Sequence, residues 1–159
     1  MKTTLSLIAV SLIVAAMPIG EANADVPAYL TAACTIPNGM KIGAKTPPQF
    51  KKYTGVFVGK YIDTRGGPGL PVTYVISNVS ADGTATVFAA NNDYPSWRVS
   101  RACYTTPGKI SNGIMMRKTP SGASLESVFS GDVINITRRS SRNVTTGKLT
   151  RVPTPPQWQ

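Results

Sequence analysis

The sequence contains no histidine. Ser-His-Asp and Cys-His machinery both rely on an imidazole to take the nucleophile's proton, so neither can be assembled. Catalytic zinc sites also draw on histidine, and no metal site is expected. Acidic residues are scarce too: beyond residue 24 the chain has only Asp25, Asp63, Asp82, Asp93, Glu126 and Asp132. A glycosidase needs two carboxylates across a cleft, ~5–10 Å apart. Asp63, Asp93, Glu126 and Asp132 qualify only by elimination, because spacing marks no pair among them. The expectation is a protein that is not an enzyme and uses no cofactor. A carboxylate-based glycan hydrolase stands as the alternative.

Long apolar runs are missing as well, except at the start. Lys2 supplies a positive charge, Leu5 to Met17 is almost uninterruptedly apolar, Pro18 and Gly20 break it, and Ala22-Asn23-Ala24 offers small residues. This is the three-part pattern of a cleavable secretory signal over 1–24, with the cut near Ala24-Asp25. A spanning helix needs ~20 apolar residues, so no transmembrane segment is expected. The implied location is the periplasm or the cell exterior. Leu30-Thr-Ala-Ala-Cys34 faintly resembles a lipidation box, but Asp25, Pro27 and Tyr29 separate it from the apolar core. Only two cysteines exist, and in an oxidising compartment they are expected to pair as a Cys34–Cys103 disulfide. Such a bridge closes a large loop, worth ~4 kcal/mol in the chain-entropy model.

What the chain does have is positive charge. Removing 1–24 takes away Lys2 and Glu21, one charge of each sign, so the balance stays at +10. That surplus attracts polyanions such as envelope lipid, anionic glycan or an acidic protein, or simply keeps the surface solvated. Export argues against intracellular nucleic acid as the partner.

The chain divides by texture. Residues 25–52 carry Pro27, Pro37, Pro47 and Pro48 with four lysines, and read as an extended arm without regular structure. From Tyr53 β-formers alternate, and 53–152 reads as short strands: Tyr53–Tyr61, Pro71–Asn78, Thr84–Ala90, Trp97–Tyr104, Lys109–Arg117, Ser124–Ser130, Val133–Arg138 and Lys148–Val152. Asp82-Gly83, Asn112-Gly113 and Gly131-Asp132 suit two-residue hairpin turns. Arg65-Gly-Gly-Pro-Gly69 is a hairpin loop, lacking the Gly-Lys-Ser/Thr ending of a phosphate loop. The tail 153–159 is proline-rich. Sequential hairpins without a 3.6-residue period predict an all-β, antiparallel up-and-down meander that closes into a small barrel, with a sandwich as the alternative.

In the first strand Tyr53, Gly55, Phe57, Gly59 and Tyr61 share one face. Gly55-x-Phe57 resembles the Gly-x-Trp signature of lipocalins and the wider calycin barrels, with Phe in place of Trp. The run Gly55–Tyr61, with Leu70-Pro71 and Ala85-x-Val87, also resembles a small secreted bacterial β-domain. The resemblance covers residues 53–139. It implies that Phe57 plugs one barrel end and that a calyx is lined from positions such as Tyr74, Ile76, Phe88, Met116 and Phe129.

Two ligand classes follow. A small apolar ligand would sit in the calyx, with Tyr74, Phe88 and Trp97 as ligand-binding candidates. An anionic envelope polymer or lipid would use the basic run, with Arg138, Arg139 and Arg142 as candidates, since guanidiniums donate bidentately to oxyanions. Arm lysines drawn against Arg98 and Arg101 would extend that face. Tyr94, Trp97 and Tyr104 beside Asn91-Asn92-Asp93 also suit a sugar face, although a ring as large as Trp97 gains most by burial. The third reading is an exported effector or inhibitor with protein partners, its handles being the arm and Trp158.

Overall fold

The computed structural model describes residues 39–63 and 66–159. The signal expected over 1–24, the first part of the arm and Cys34 lie outside the described residues, so the disulfide is not described. Eight strands follow in chain order: β1 (Gly55–Asp63), β2 (Leu70–Val79), β3 (Thr84–Asn91), β4 (Ala102–Ser111), β5 (Ile114–Lys118), β6 (Ser124–Ser130), β7 (Val133–Arg139) and β8 (Val144–Val152). Each pairs antiparallel with the next, and β8 returns to β1 to close the barrel. The meander and its closure are as the hairpin spacing predicts. At the β4–β5 turn Asn112 and Gly113 both have positive φ (50° and 78°), the geometry that matches the twist of a hairpin.

Three boundaries differ from the expectation. Pro48–Tyr53 forms a 3-10 helix, so the arm does not run extended into the barrel and β1 starts at Gly55. Trp97 does not open a strand. Pro95–Trp97 is a 3-10 turn ending at Arg98 in the left-handed region, and β4 begins at Ala102. It then runs through Pro107, which is tolerated because β5 pairs with β4 only from Gly108 onward. β8 begins at Val144, earlier than Lys148.

Two apolar clusters hold the fold. Inward-facing positions fill the barrel, including Phe57, Tyr74, Ile76, Val87, Met115, Leu125, Ile134 and Leu149. A second cluster lies outside the wall of β1–β3, where Val56, Val75, Phe88 and Ala90 are covered by Trp158, with Met40 and Ile42 packed against them. Ile42 N–H donates to the Trp158 carbonyl, tying the arm to the tail. Each large side chain so buried contributes ~1.5–3 kcal/mol. Trp158 is only 6% exposed, so it is a clamp on the barrel and not the handle for a partner that the sequence suggested.

One end is sealed. Tyr53 stacks edge-on against Phe129 at 4.9 Å, and Phe129 against Phe57 at 6.2 Å. The Arg151 guanidinium lies 4.5 Å over the Phe57 ring. Its Nε donates to Asp132 at 2.8 Å, Nη2 to the Lys52 carbonyl at 2.6 Å, and Nη1 to the Thr54 carbonyl. A Cβ at Gly55 would fall 2.2 Å from Nη1, so the Gly of Gly55-x-Phe57 makes room for the arginine that caps the Phe. Likewise a Cβ at Gly147 would meet the Tyr61 ring at 2.8 Å.

Candidate functional site

The opposite end is open. There residues from the connections 92–101, 119–123 and 140–143, with the adjoining strand ends, surround a cavity of about 820 Å³. Its walls are Tyr61, Leu70, Val72, Tyr74, Ala89 and Tyr104; its mouth carries Trp97, Arg98, Arg138, Arg142, Asn143 and Asp63. The volume falls in the range typical of small-molecule sites. Tyr94 and Trp97 brace the mouth edge-to-face at 5.0 Å, so the tryptophan is half-buried and at the same time part of the lining.

The sequence candidates separate cleanly by strand parity. Tyr74, Trp97, Arg138 and Arg142 come together around the cavity. Phe88 does not: its neighbours Val87 and Ala89 point inward, and Phe88 lies on the outer wall beneath Trp158. Met116 is likewise outside and 48% exposed, while Met115 fills the interior. Ile76 and Phe129 face inward but serve the core and the sealed end. Arg139 alternates with the inward Arg138 and is exposed on the outer face. The two predicted ligand sites, one apolar and one basic, therefore share the cavity through Arg138 and Arg142. Of the arm lysines, Lys52 does not join Arg98: it lies at the sealed end with Tyr53 and Asn112. Of the acidic candidates only Asp63 lines the cavity; Asp93 pairs with Arg101 and Asp132 with Arg151.

One functional candidate escaped the sequence reading. Arg117 points into the barrel and is 4% exposed. Its guanidinium lies 4.2 Å from the centre of the Tyr74 ring and 5.9 Å from that of Tyr104, and its Nη1 donates to Thr106 Oγ1 at 3.1 Å. Nε and Nη2 have no partner, nor do the buried hydroxyls of Ser127 and Thr145. The carboxylates of Asp82, Asp93 and Asp132 pair with Lys109, Arg101 and Arg151, and not with Arg117. The Tyr61 and Tyr74 hydroxyls bond each other. Burial pushes both phenols above the ordinary tyrosine value, so neither ionises to neutralise the arginine. Burial works against the Arg117 charge, but the phenol oxygens around it, Tyr74 with a hydrogen bond, favour it, and the group stays cationic. The alternation Ile110, Met115, Arg117 on facing strands was the available signal, since a basic residue on an inward register is rare without a reason.

No protein-family model and no curated protein sequence matches the chain. Among solved structures, a de novo designed fluorescence-activating β-barrel is similar at TM-score 0.50 and 11% identity, covering 67% of this chain and all of the designed one. At that identity the likeness concerns the fold alone. Among the described residues no group of three or more side chains suits a metal ion, and no helix is long and apolar enough to cross a membrane.

Proposed function

We propose that this chain is an exported, non-catalytic binding protein that holds a small, largely apolar molecule in the open end of its barrel. The observation that carries this reading is the pairing of one sealed end with an aromatic-lined cavity of about 820 Å³ at the other. A barrel filled only for stability has no need of such a space, because tight packing of the interior is the more stable arrangement. The similarity to a designed fluorescence-activating barrel supports a fold able to host a ligand. A calycin-like affinity is supported by the first-strand Gly55-x-Phe57 in a closed antiparallel barrel. The signal-like start of the sequence supports export.

The test is a titration with the neutral dye N-phenyl-1-naphthylamine. Wild-type protein should bind it saturably and with little salt dependence, since apolar burial is not screened. Ala89→Trp places a large ring in the cavity and should weaken binding ~10-fold or more, the cost of losing an apolar pocket of a few kcal/mol. Non-saturable binding, or equal binding by the variant, would refute the reading.

A further inference from the structure

Strand register places five inward residues on one ring of the barrel. Arg117 on β5 is opposite Leu125 on β6, Leu125 is opposite Arg138 on β7, Arg138 is opposite Thr145 on β8, and Thr145 is opposite Asp63 on β1. Neighbouring strands are ~4.8 Å apart, so the two arginines stand about 10 Å apart with Leu125 between them. Their donors are underused. Arg117 leaves Nε and Nη2 without partners, Thr145 leaves its hydroxyl, and Arg138 makes one long contact to Asn143 Oδ1 at 3.5 Å. Asp63, across Thr145 and lining the same cavity, is engaged in its own interactions. Keeping a cation buried without a counter-ion is costly, and proteins usually pair such a group. Here the open donors of Arg117 stand next to a cavity that has room for an apolar body.

We propose that the ligand carries an acid group, and that Arg117, Arg138 and the Thr145 hydroxyl bind it on the ring above Leu125, with the apolar remainder against Tyr61, Leu70, Val72 and Ala89. This rests on the calyx reading and names its ligand class: a carboxylate on an apolar chain or ring. The unpartnered nitrogens of Arg117 are covered in the barrel as it stands. Tyr104, half-buried, lining the cavity and 5.9 Å from the guanidinium, is the ring that the acid group has to pass to reach them.

The experiment displaces bound N-phenyl-1-naphthylamine with dodecanoate and with dodecanol, matched in length and differing in the head group. Wild type should prefer the acid by ~10–100-fold, the range for charge-assisted hydrogen bonds. Arg117→Met should abolish the preference while retaining dodecanol binding, and should raise Tm, whereas an arginine kept for the fold would lower it. Thr145→Val should reduce the preference several-fold at unchanged Tm. If Arg117→Met does not fold, Arg117→Lys keeps the charge, loses the fork, and should retain only part of the preference. Equal affinity for acid and alcohol in the wild type, with dye still bound, would overturn the proposal and leave the calyx standing. A preference undiminished in both Arg117 variants would also overturn it. Loss of dye binding in the wild type would instead strike the calyx itself.

Discussion

Arg151 and Arg117 are both inward-facing arginines on strands, yet their surroundings are opposites. Arg151 sits at the sealed end with every kind of donor engaged: Nε on Asp132, the two Nη groups on the Thr54 and Lys52 carbonyls, and its flat face on Phe57. Arg117 sits toward the open end with Nη1 on Thr106 and two nitrogens, Nε and Nη2, without a hydrogen-bond partner. The same side chain thus closes one end of the barrel and charges the other. Satisfied donors mark a structural arginine, and unsatisfied ones mark a group whose partner comes from outside.

The sharpest way to break that contrast is to make the same substitution at both positions. Arg151→Met leaves the Lys52 and Thr54 carbonyls without their donors and uncaps Phe57. It should destabilise by about 2–4 kcal/mol, since each orphaned acceptor costs about 1–3 kcal/mol. Urea unfolding with an unchanged slope would measure it. Arg117→Met should move the other way, by about 1–2 kcal/mol, because replacing an uncompensated buried ion by an apolar side chain of similar volume is often stabilising. Destabilisation by both substitutions to the same degree would erase the distinction.

The smallest effect concerns a surface cluster at the sealed end. Lys109 at 2.8 Å, together with Ser80 and Thr84, holds the Asp82 carboxyl well below the usual carboxylate range. The depressed native value means this contribution is complete above the unfolded carboxylate pKa of ~3.9 and fades as pH falls below it. Asp82→Asn should therefore flatten the acid limb of the stability curve below about pH 4. The group is fully exposed and the change should be slight, read from urea midpoints at pH 3 and pH 6 and fading in high salt.

The architecture was legible because its signals are local. Asp82-Gly83, Asn112-Gly113 and Gly131-Asp132 each sit between alternating runs, and each is a turn. Gly55-x-Phe57 pointed to the sealed end, although the reason for its glycine, room for Arg151, lies 96 residues away on β8 and no local pattern contains it. The lining of the candidate site was half legible. Tyr74, Trp97, Arg138 and Arg142, chosen by residue type, line the cavity, whereas Phe88 and Met116 lie on the outer wall. Parity decides such cases, and one residue of shift reverses the face. At Phe88 the error had a further cause: the tail brings Trp158 over the outer wall, so a large apolar residue is buried there too. Arg117 was passed over because a basic residue next to Lys118 at a strand end reads as surface until β5 is paired with β6.

The central claim is that the open end binds an acid-bearing apolar molecule inside the barrel. An NMR titration of ¹⁵N-labelled protein with dodecanoate tests it most directly. The account predicts saturable shifts concentrated on the amides of Val72, Ala89, Tyr104, Leu125 and Thr145, with the outward Arg139 and Lys148 barely moved. Shifts confined to Arg139, Lys148 and the outer wall, or no saturable shift at all, would contradict it.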